Sequence, residues 1–315
     1  MANTNMFPTA YFEGEFIPFS DAKISIGTHA VQYGTGAFAG IRGYLDADGE
    51  TINIFRLPDH CARLLNSGRL IRADLPFTKD SLGEVIAELV ARNAPDGDVY
   101  IRPFIYKSSV QLTPRLKGLD NELAVYMMPL GDYIDTRGVR AGVSSWARVS
   151  DHTIPGRGKI SGSYINAAMA KDEAEEKGVD EAILLDSSGH VAEGSACNLF
   201  IVRDGMLCTA PITGDILEGI TRRTVMMFAK DLGIPVVERE IDRSELYLLE
   251  EAFFCGTGVQ IAPIHTIDGR TVSEHVPGPV TKQIADLFYD TVRGKNPKYA
   301  HLLTKVKPKV AASAD

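Results

Sequence analysis

Short alternating runs of apolar and polar residues fill the start of the chain. AYFEGEFIP breaks at Glu13–Gly14, KISIG follows, and GIRGYLDADGETINIF places Asp48–Gly49 between two alternating stretches. Period-two alternation interrupted by an acidic residue and a glycine predicts antiparallel strands joined by tight turns. The period then changes. Pro58 and Asp59 open a helix through about Arg72. In KDSLGEVIAELVARN the residues Leu82, Val85, Ile86, Leu89 and Val90 share one face, which predicts a second helix. Strands return at VYIRPFIYK and ELAVYMMPL.

The turn-rich stretch Gly131–Val139 reads as a connector, and GVSSWARV opens the second half. The expected organisation is a smaller N-terminal α/β domain over 1–130, an interdomain connector over 131–140, and a larger C-terminal domain over 141–315. Within the last, a helix is expected from about Gly162 to Lys177, EAILLD as a buried strand, and NLFIVRDGMLCTA as a hairpin turning at Asp204–Gly205. ILEGITRRTVMMFAKDLG starts a helix at Gly219–Ile220–Thr221 and puts Val225, Phe228, Ala229 and Leu232 on one side. A helix start gathers unpaired N–H groups, so this one is a candidate phosphate cradle. A further helix spans roughly Gly278–Arg293, and the lysine- and alanine-rich end LTKVKPKVAASAD reads as frayed.

Composition narrows the class. The 315 residues favour two domains of about 150 residues each. Hydrophobic residues make up 44% and charged residues 23%, as in a globular protein in water. With 33 Lys+Arg against 41 Asp+Glu the net charge is −8, which argues against a nucleic-acid partner. Cys61, Cys197, Cys208 and Cys255 have no metal-ligand spacing and are too few for a disulfide scaffold. A reducing, cytoplasmic setting is expected. The start lacks a secretory pattern, and no apolar run is long enough to span a bilayer. Gly34, Gly36 and Gly40 give GxGxxxG, which is not the dinucleotide fingerprint, and no GxSxG elbow occurs.

The chemistry concentrates in GRGKISGSYINAAMA, with Lys159 five residues before Tyr164, and VAEGSACNLF, which carries Glu193. An amine for a Schiff base, a phenol beside the ring O3′ and an acid facing a pyridine nitrogen are what a pyridoxal 5′-phosphate site needs. Each residue alone has a plainer reading as a surface charge or a packing aromatic; their joint pattern favours the site.

Several ordered segments carry a wider resemblance: YGTGAFAGIR at Tyr33–Arg42, DHCARL at Asp59–Leu64, YIRP at Tyr100–Pro103, the Lys159 stretch, EGSACNLF at Glu193–Phe200, LEGITRR at Leu217–Arg223 and CGTGVQIAPI at Cys255–Ile264. Together they resemble the class IV aminotransferases, most closely the branched-chain amino-acid aminotransferases, over nearly the whole chain. The resemblance implies an α+β/α/β architecture, the two-domain pyridoxal-phosphate fold type IV, like the D-amino-acid aminotransferases. It implies that Lys159 binds the cofactor covalently and then shuttles the substrate proton. Glu193 would hold the pyridine nitrogen protonated and Tyr164 would contact O3′. Arg63, Leu217, Ile220, Thr221 and Thr257 would complete the cofactor site. For the substrate, Tyr100 with the amides of Thr257 and Gly258 would hold the α-carboxylate, and Arg102 the distal carboxylate of glutamate or 2-oxoglutarate. Tyr33, Phe38, Leu130 and Tyr133 would wall the side-chain pocket.

The implied activity is amino transfer between leucine, isoleucine or valine and 2-oxoglutarate in a two-stage cycle, with no metal. A D-amino-acid or (R)-amine transaminase and an aminodeoxychorismate-type lyase share the cofactor residues and stand as alternatives. Ala39 replaces the glutamate usual in FEGIR, Leu130 a frequent aromatic, KSSVQLTP at Lys107–Pro114 a glycine-rich loop, and Gly256–Gly258 reads GTG for GTA. These departures point to a changed polarity at the pocket entrance, a reshaped side-chain pocket and a looser grip on the α-carboxylate. Partners are expected to be amino acids and 2-keto acids, and a further copy of the chain in a dimer or trimer of dimers. In the family the active site lies between the domains under a loop of the neighbouring subunit.

Overall fold

A computed structural model describes residues 5–131 and 138–309. The chain forms two compact units. One comprises Met1–Asp132, Gly158–Gly162 and Asp290–Asp315, the other Tyr133–Arg157 and Ser163–Tyr289. The expected uninterrupted 141–315 domain is therefore broken twice. The stretch around Lys159 bonds to first-unit strands and helices, and the chain end supplies that unit's edge strand.

The first unit is an antiparallel sheet built from β1 (Thr9–Phe12), β2 (Glu15–Pro18), β3 (Gly36–Phe38), β4 (Ile41–Leu45), β5 (Ile52–Phe55), β6 (Val99–Lys107) and β7 (Asn121–Pro129). The strand order is Leu303–Val306, β5, β4, β6, β7, β1, β2, with β3 also paired to β6. The β1–β2 turn is Glu13–Gly14, both at positive φ (49° and 97°), which suits a tight hairpin. Helix α1 spans His29–Tyr33, α2 Leu57–Leu70 and α3 Lys79–Asn93. α3 starts where Thr78 Oγ1 accepts the Ser81 N–H (3.1 Å) and Ser81 Oγ accepts the Thr78 N–H (3.0 Å), a reciprocal cap. Its buried Leu82, Ile86, Leu89 and Val90 follow the predicted stripe.

Two expectations fail in this unit. KISIG is not a strand: Ile24 and Ile26 are exposed, and the segment has no ladder partner among the described residues. The lysine-rich end is not frayed throughout, because Leu303–Val306 pairs with β5 from Leu303↔Phe55 to Val306↔Ile52 while Lys305 Nζ meets Asp46 at 2.9 Å. Only pairing with a strand far away in the sequence makes this segment a strand.

β6 decides where this unit can do chemistry. Val99, Ile101 and Ile105 are fully buried, while the alternating Tyr100, Arg102 and Phe104 are only half-buried. Successive side chains on a strand point to opposite faces, so one face of β6 joins the core and the other presents a phenol, a guanidinium and a ring in a row.

The second unit is a mixed sheet of β8 (Val139–Val143), β9 (Glu181–Leu185), β10 (Val191–Gly194), β11 (Asn198–Arg203), β12 (Met206–Thr209), β13 (Val236–Glu238), β14 (Glu251–Gly256), β15 (Gln260–Ile267) and β16 (Arg270–Thr271). Its order is β10-β9-β8-β15-β14-β11-β12-β13, with β16 on β15. The β8–β9, β8–β15 and β12–β13 pairs are parallel and the rest antiparallel. Helix α4 (Tyr164–Glu176) packs on β9, and α5 (Ile220–Asp231) on β13 and β14. The core joins Ile183, Leu199, Ile201, Phe254, Ala262 and Ile264, drawn from the central strands. Val225, Phe228 and Ala229 of α5 are buried as predicted, but Leu232 caps the helix and is 38% exposed. Helix α6 (Pro279–Val292) follows late in the chain.

Candidate active site

In the first unit, Lys159 is pinned through its backbone. Its N–H donates to Ser67 Oγ (3.1 Å), its carbonyl accepts the Phe38 N–H (3.0 Å), and Ile160 bridges to Ala37. Ser67 is buried on α2 and donates to the Arg63 carbonyl one turn earlier (2.9 Å). The hydroxyl therefore links the helix that carries Arg63 to the segment that carries Lys159. Lys159 Nζ lies 5.2 Å from the centre of the Phe38 ring. Arg63 is half-buried on the same helix.

Phe38, Tyr100 and Arg102 come together beside it. The Arg102 guanidinium carbon sits 4.4 Å over the Phe38 ring and 5.2 Å from the Tyr100 ring, and Arg102 Nη2 donates to the Tyr100 hydroxyl at 2.9 Å. Arg102 Nε is buried and has no hydrogen-bond partner. Stacking on aromatic faces is worth about 0.5–2 kcal/mol and holds the charge without consuming its donors. Gly40 makes this arrangement possible: a Cβ there would fall 2.1 Å from the Tyr100 hydroxyl.

Tyr33 ends α1 with its ring 4.7 Å from that of His29, and it is 40% exposed. Leu130 is half-buried; its carbonyl accepts from Arg42 Nη2 (3.0 Å), and Gly131 takes a second, shorter bond from the same atom. Tyr133 lies outside the described residues. Ala39 is fully buried, with its N–H on the Pro103 carbonyl (3.0 Å).

In the second unit, Glu193 sits at a register shift in β10 and is buried. Arg148 Nε donates to its Oε1 (2.8 Å), while Asn198 Nδ2 (2.9 Å) and the Leu217 N–H (3.1 Å) donate to Oε2. The Leu217 carbonyl accepts the other Asn198 amide hydrogen at 3.0 Å. Ile220 and Thr221 are the buried first residues of α5, whose N-cap, Gly219, brings no side-chain oxygen to close the helix start. Tyr164 opens α4 and is half-buried. Thr257 and Gly258 form the turn between β14 and β15, which closes at Gly256↔Gln260 with Gln260 at φ 54°. A Cβ on Gly258 would meet no protein atom within 4 Å, so the protein does not itself require glycine there.

These donors suit pyridoxal 5′-phosphate. One unit offers an amine on a fixed backbone. The other offers an acid enclosed by three N–H donors and a helix start without a side-chain cap, groups that suit a pyridinium and a phosphate respectively. Sequence reasoning did not single out Ser67, which holds the Lys159 segment, or Arg148 and Asn198, which enclose Glu193. Asn198 lay inside the EGSACNLF segment, while Ser67 and Arg148 carry no spacing signal. The four cysteines are all buried, and burial pushes the Cys61 thiol up to about 12.

The family model for amino-transferase class IV matches residues 36–267. A probable branched-chain-amino-acid aminotransferase of Synechocystis is 43% identical over 300 residues, 95% of this chain and 97% of that protein. The crystal structure of a branched-chain aminotransferase from Thermoproteus uzoniensis with norvaline superposes with a TM-score of 0.91 at 43% identity, covering 94% of this chain and 98% of its own. That of a branched-chain amino acid aminotransferase from Thermobaculum terrenum in its PLP-bound holo form gives 0.90 at 36% identity, covering 96% and 99%. With the fold and cofactor chemistry in agreement, the chain belongs to the class IV aminotransferases, among the branched-chain amino-acid aminotransferases.

Proposed function

We propose that the protein moves the amino group between L-leucine, L-isoleucine or L-valine and 2-oxoglutarate, and that the residues described above carry the reaction. The observation that bears most weight is the Phe38–Tyr100–Arg102 cluster, which sets a cation with a buried, unpartnered Nε among aromatic rings. A site that takes both an aliphatic side chain and a distal carboxylate needs both properties. The D-amino-acid, (R)-amine and lyase alternatives have no such support among the relatives described above, which bear branched-chain names.

Pyridoxal 5′-phosphate, when bound, supplies the electron sink that makes the substrate Cα–H acidic. Lys159 holds its aldehyde carbon and, once displaced by substrate, takes and returns the proton at Cα; such a positioned acid–base group is worth about 10²–10⁴-fold. Glu193 holds the proton on the ring nitrogen. Arg63, the Ile220 and Thr221 N–H groups and the Thr257 hydroxyl would bind the phosphate, and Leu217 and Tyr164 would contact the ring. Tyr100 with the Thr257 and Gly258 amides binds the α-carboxylate, and Arg102 the distal one. Phe38 and Leu130 wall the side chain, with Tyr33 at the margin.

Two further readings belong with this one. The protein is a homo-oligomer: Ile26 (86% exposed), Val31, Tyr33, Val110 and Leu112 (77%) are exposed apolar residues on two segments joined by the Thr28↔Val110 bridge, suited to meeting a second copy. Sedimentation of the wild type and of Ile26→Asp/Leu112→Asp checks this; a monomeric wild type sinks it. It works in the cytoplasm, where a reducing pool keeps its four buried thiols free.

The deciding test is the visible spectrum of the purified protein with excess L-leucine and no acceptor. The band of the bound cofactor bleaches with leucine, persists with D-alanine, and returns on adding 2-oxoglutarate. Bleaching by D-alanine or (R)-1-phenylethylamine in preference to leucine would overturn the substrate assignment.

A further inference from the structure

Asn198 is the first residue of β11 and is buried, and its side chain is fully committed in three directions. One amide hydrogen goes to Glu193 Oε2 (2.9 Å) and the other to the Leu217 carbonyl (3.0 Å). The Leu217 N–H returns to the same Glu193 oxygen (3.1 Å), so acid, asparagine and turn form a closed ring of hydrogen bonds. The third direction is steric. A Cβ built on Gly219, the N-cap of α5, would lie 2.0 Å from Asn198 Oδ1. The amide therefore fills the space against the bare Cα of the helix cap.

Neither end of this span can drift. β11 lies inside the sheet between β12 and β14, with Asn198 opposite Cys255, and Arg148 Nε holds the second Glu193 oxygen at 2.8 Å. We infer that Asn198 is a positioning residue that sets the separation between the Glu193 carboxylate and the first turn of α5. It lets one rigid ligand engage the acid with its ring nitrogen and the helix start with its phosphate at the same time. The inference rests on the cofactor reading given above. Asparagine is the side chain this geometry requires. Aspartate would bring a second carboxylate against Glu193 and lose both donors, and leucine would strand the Leu217 carbonyl.

The test is cofactor binding to apo-protein, not turnover. Dissociation constants for pyridoxal 5′-phosphate and for pyridoxal, which has no phosphate, are measured for the wild type, Asn198→Ala, Gly219→Ala and the double variant. If Asn198 sets the spacing, Asn198→Ala weakens pyridoxal phosphate about 10-fold or more, the scale of losing hydrogen bonds to a charged partner. Pyridoxal, which needs only one end, changes by less than about 3-fold. Gly219→Ala, which displaces the amide, reproduces the loss while Asn198 is present and adds nothing once Asn198 is alanine.

Equal weakening of both ligands, or independent, multiplying losses from the two substitutions, refutes the spacing role and leaves Asn198 as an ordinary structural contact. Retained pyridoxal binding shows that the variants have folded. A wild type that takes up neither ligand, or Glu193→Gln without effect on either, refutes the cofactor reading itself and is thereby told apart from failure of the spacing role.

Discussion

Glu193 and Arg102 are both charged groups set on strands, and their surroundings differ. Glu193 is enclosed by Arg148, Asn198 and the Leu217 N–H, three donors on one carboxylate. Arg102 is held by ring faces and one hydroxyl, and its Nε has no partner. The difference matches the roles proposed for them. An acid serving a resident cofactor keeps one partner throughout the cycle, so fixing it in advance costs nothing later. A cation that meets a distal carboxylate in one half-reaction and an aliphatic chain in the other must keep donors unspent. Stacking supplies position without consuming them.

Lys159→Ala has the largest expected effect. It removes the visible cofactor band and lowers turnover by at least about 10⁴-fold, the upper range for a positioned acid–base group, as checked by spectrum and steady-state rate. Next is Glu193→Gln, which keeps the shape but removes the charge and leaves the half-buried Arg148 without its carboxylate; kcat falls about 10²–10³-fold. If Glu193→Gln turned over normally, the enclosed acid would be structural only. Arg102→Leu sharpens the other side of the comparison. KM for 2-oxoglutarate rises about 10- to 100-fold, as expected for a charged hydrogen bond, while the leucine half-reaction stays within about 3-fold. A parallel loss in both half-reactions would mean that Arg102 supports the strand and does not read the distal group.

Ser67→Ala removes the hydroxyl that joins Arg63 to the Lys159 segment, and kcat falls about 3- to 10-fold, the scale of one neutral hydrogen bond; Ser67→Cys recovers part of it. The smallest effect concerns pH. Glu245, bonded to Arg239, and Glu173, bonded to Lys177 and Ser144, are each lowered to about 2 from the usual 4.5. A carboxylate lowered on folding adds stability above its unfolded value, and that stability drains away as pH falls towards the folded one. Urea midpoints therefore fall between about pH 4.5 and pH 2, and Glu245→Gln flattens the slope.

The regular elements were legible because periodicity reports which face is buried. Helix α3 has the predicted bounds and stripe, β6 matches VYIRPFIYK, and the Asp204–Gly205 turn carries the positive φ values (51° and 69°) that such a dipeptide allows. KISIG and the C-terminal end misled for one shared reason. A strand is a property of a pair, and nothing local shows that Leu303–Val306 has β5 as a partner while Lys23–Gly27 has no ladder among the described residues.

The same division runs through the site. Lys159, Tyr164 and Glu193 were named from the sequence because a cofactor's chemistry restricts which residue types serve it, and Arg63 and Arg102 because their segments resemble the family's. The sequence also determined the family. Only the tertiary structure showed that the Lys159 stretch belongs with the first unit, that Ser67 holds it there, that Gly40 clears space for Tyr100, and that Arg148 and Asn198 enclose Glu193. Those facts are distances between residues far apart along the chain. A sequence encodes them through packing, where each contact depends on all the others, and that is why they are read in space and not along the chain.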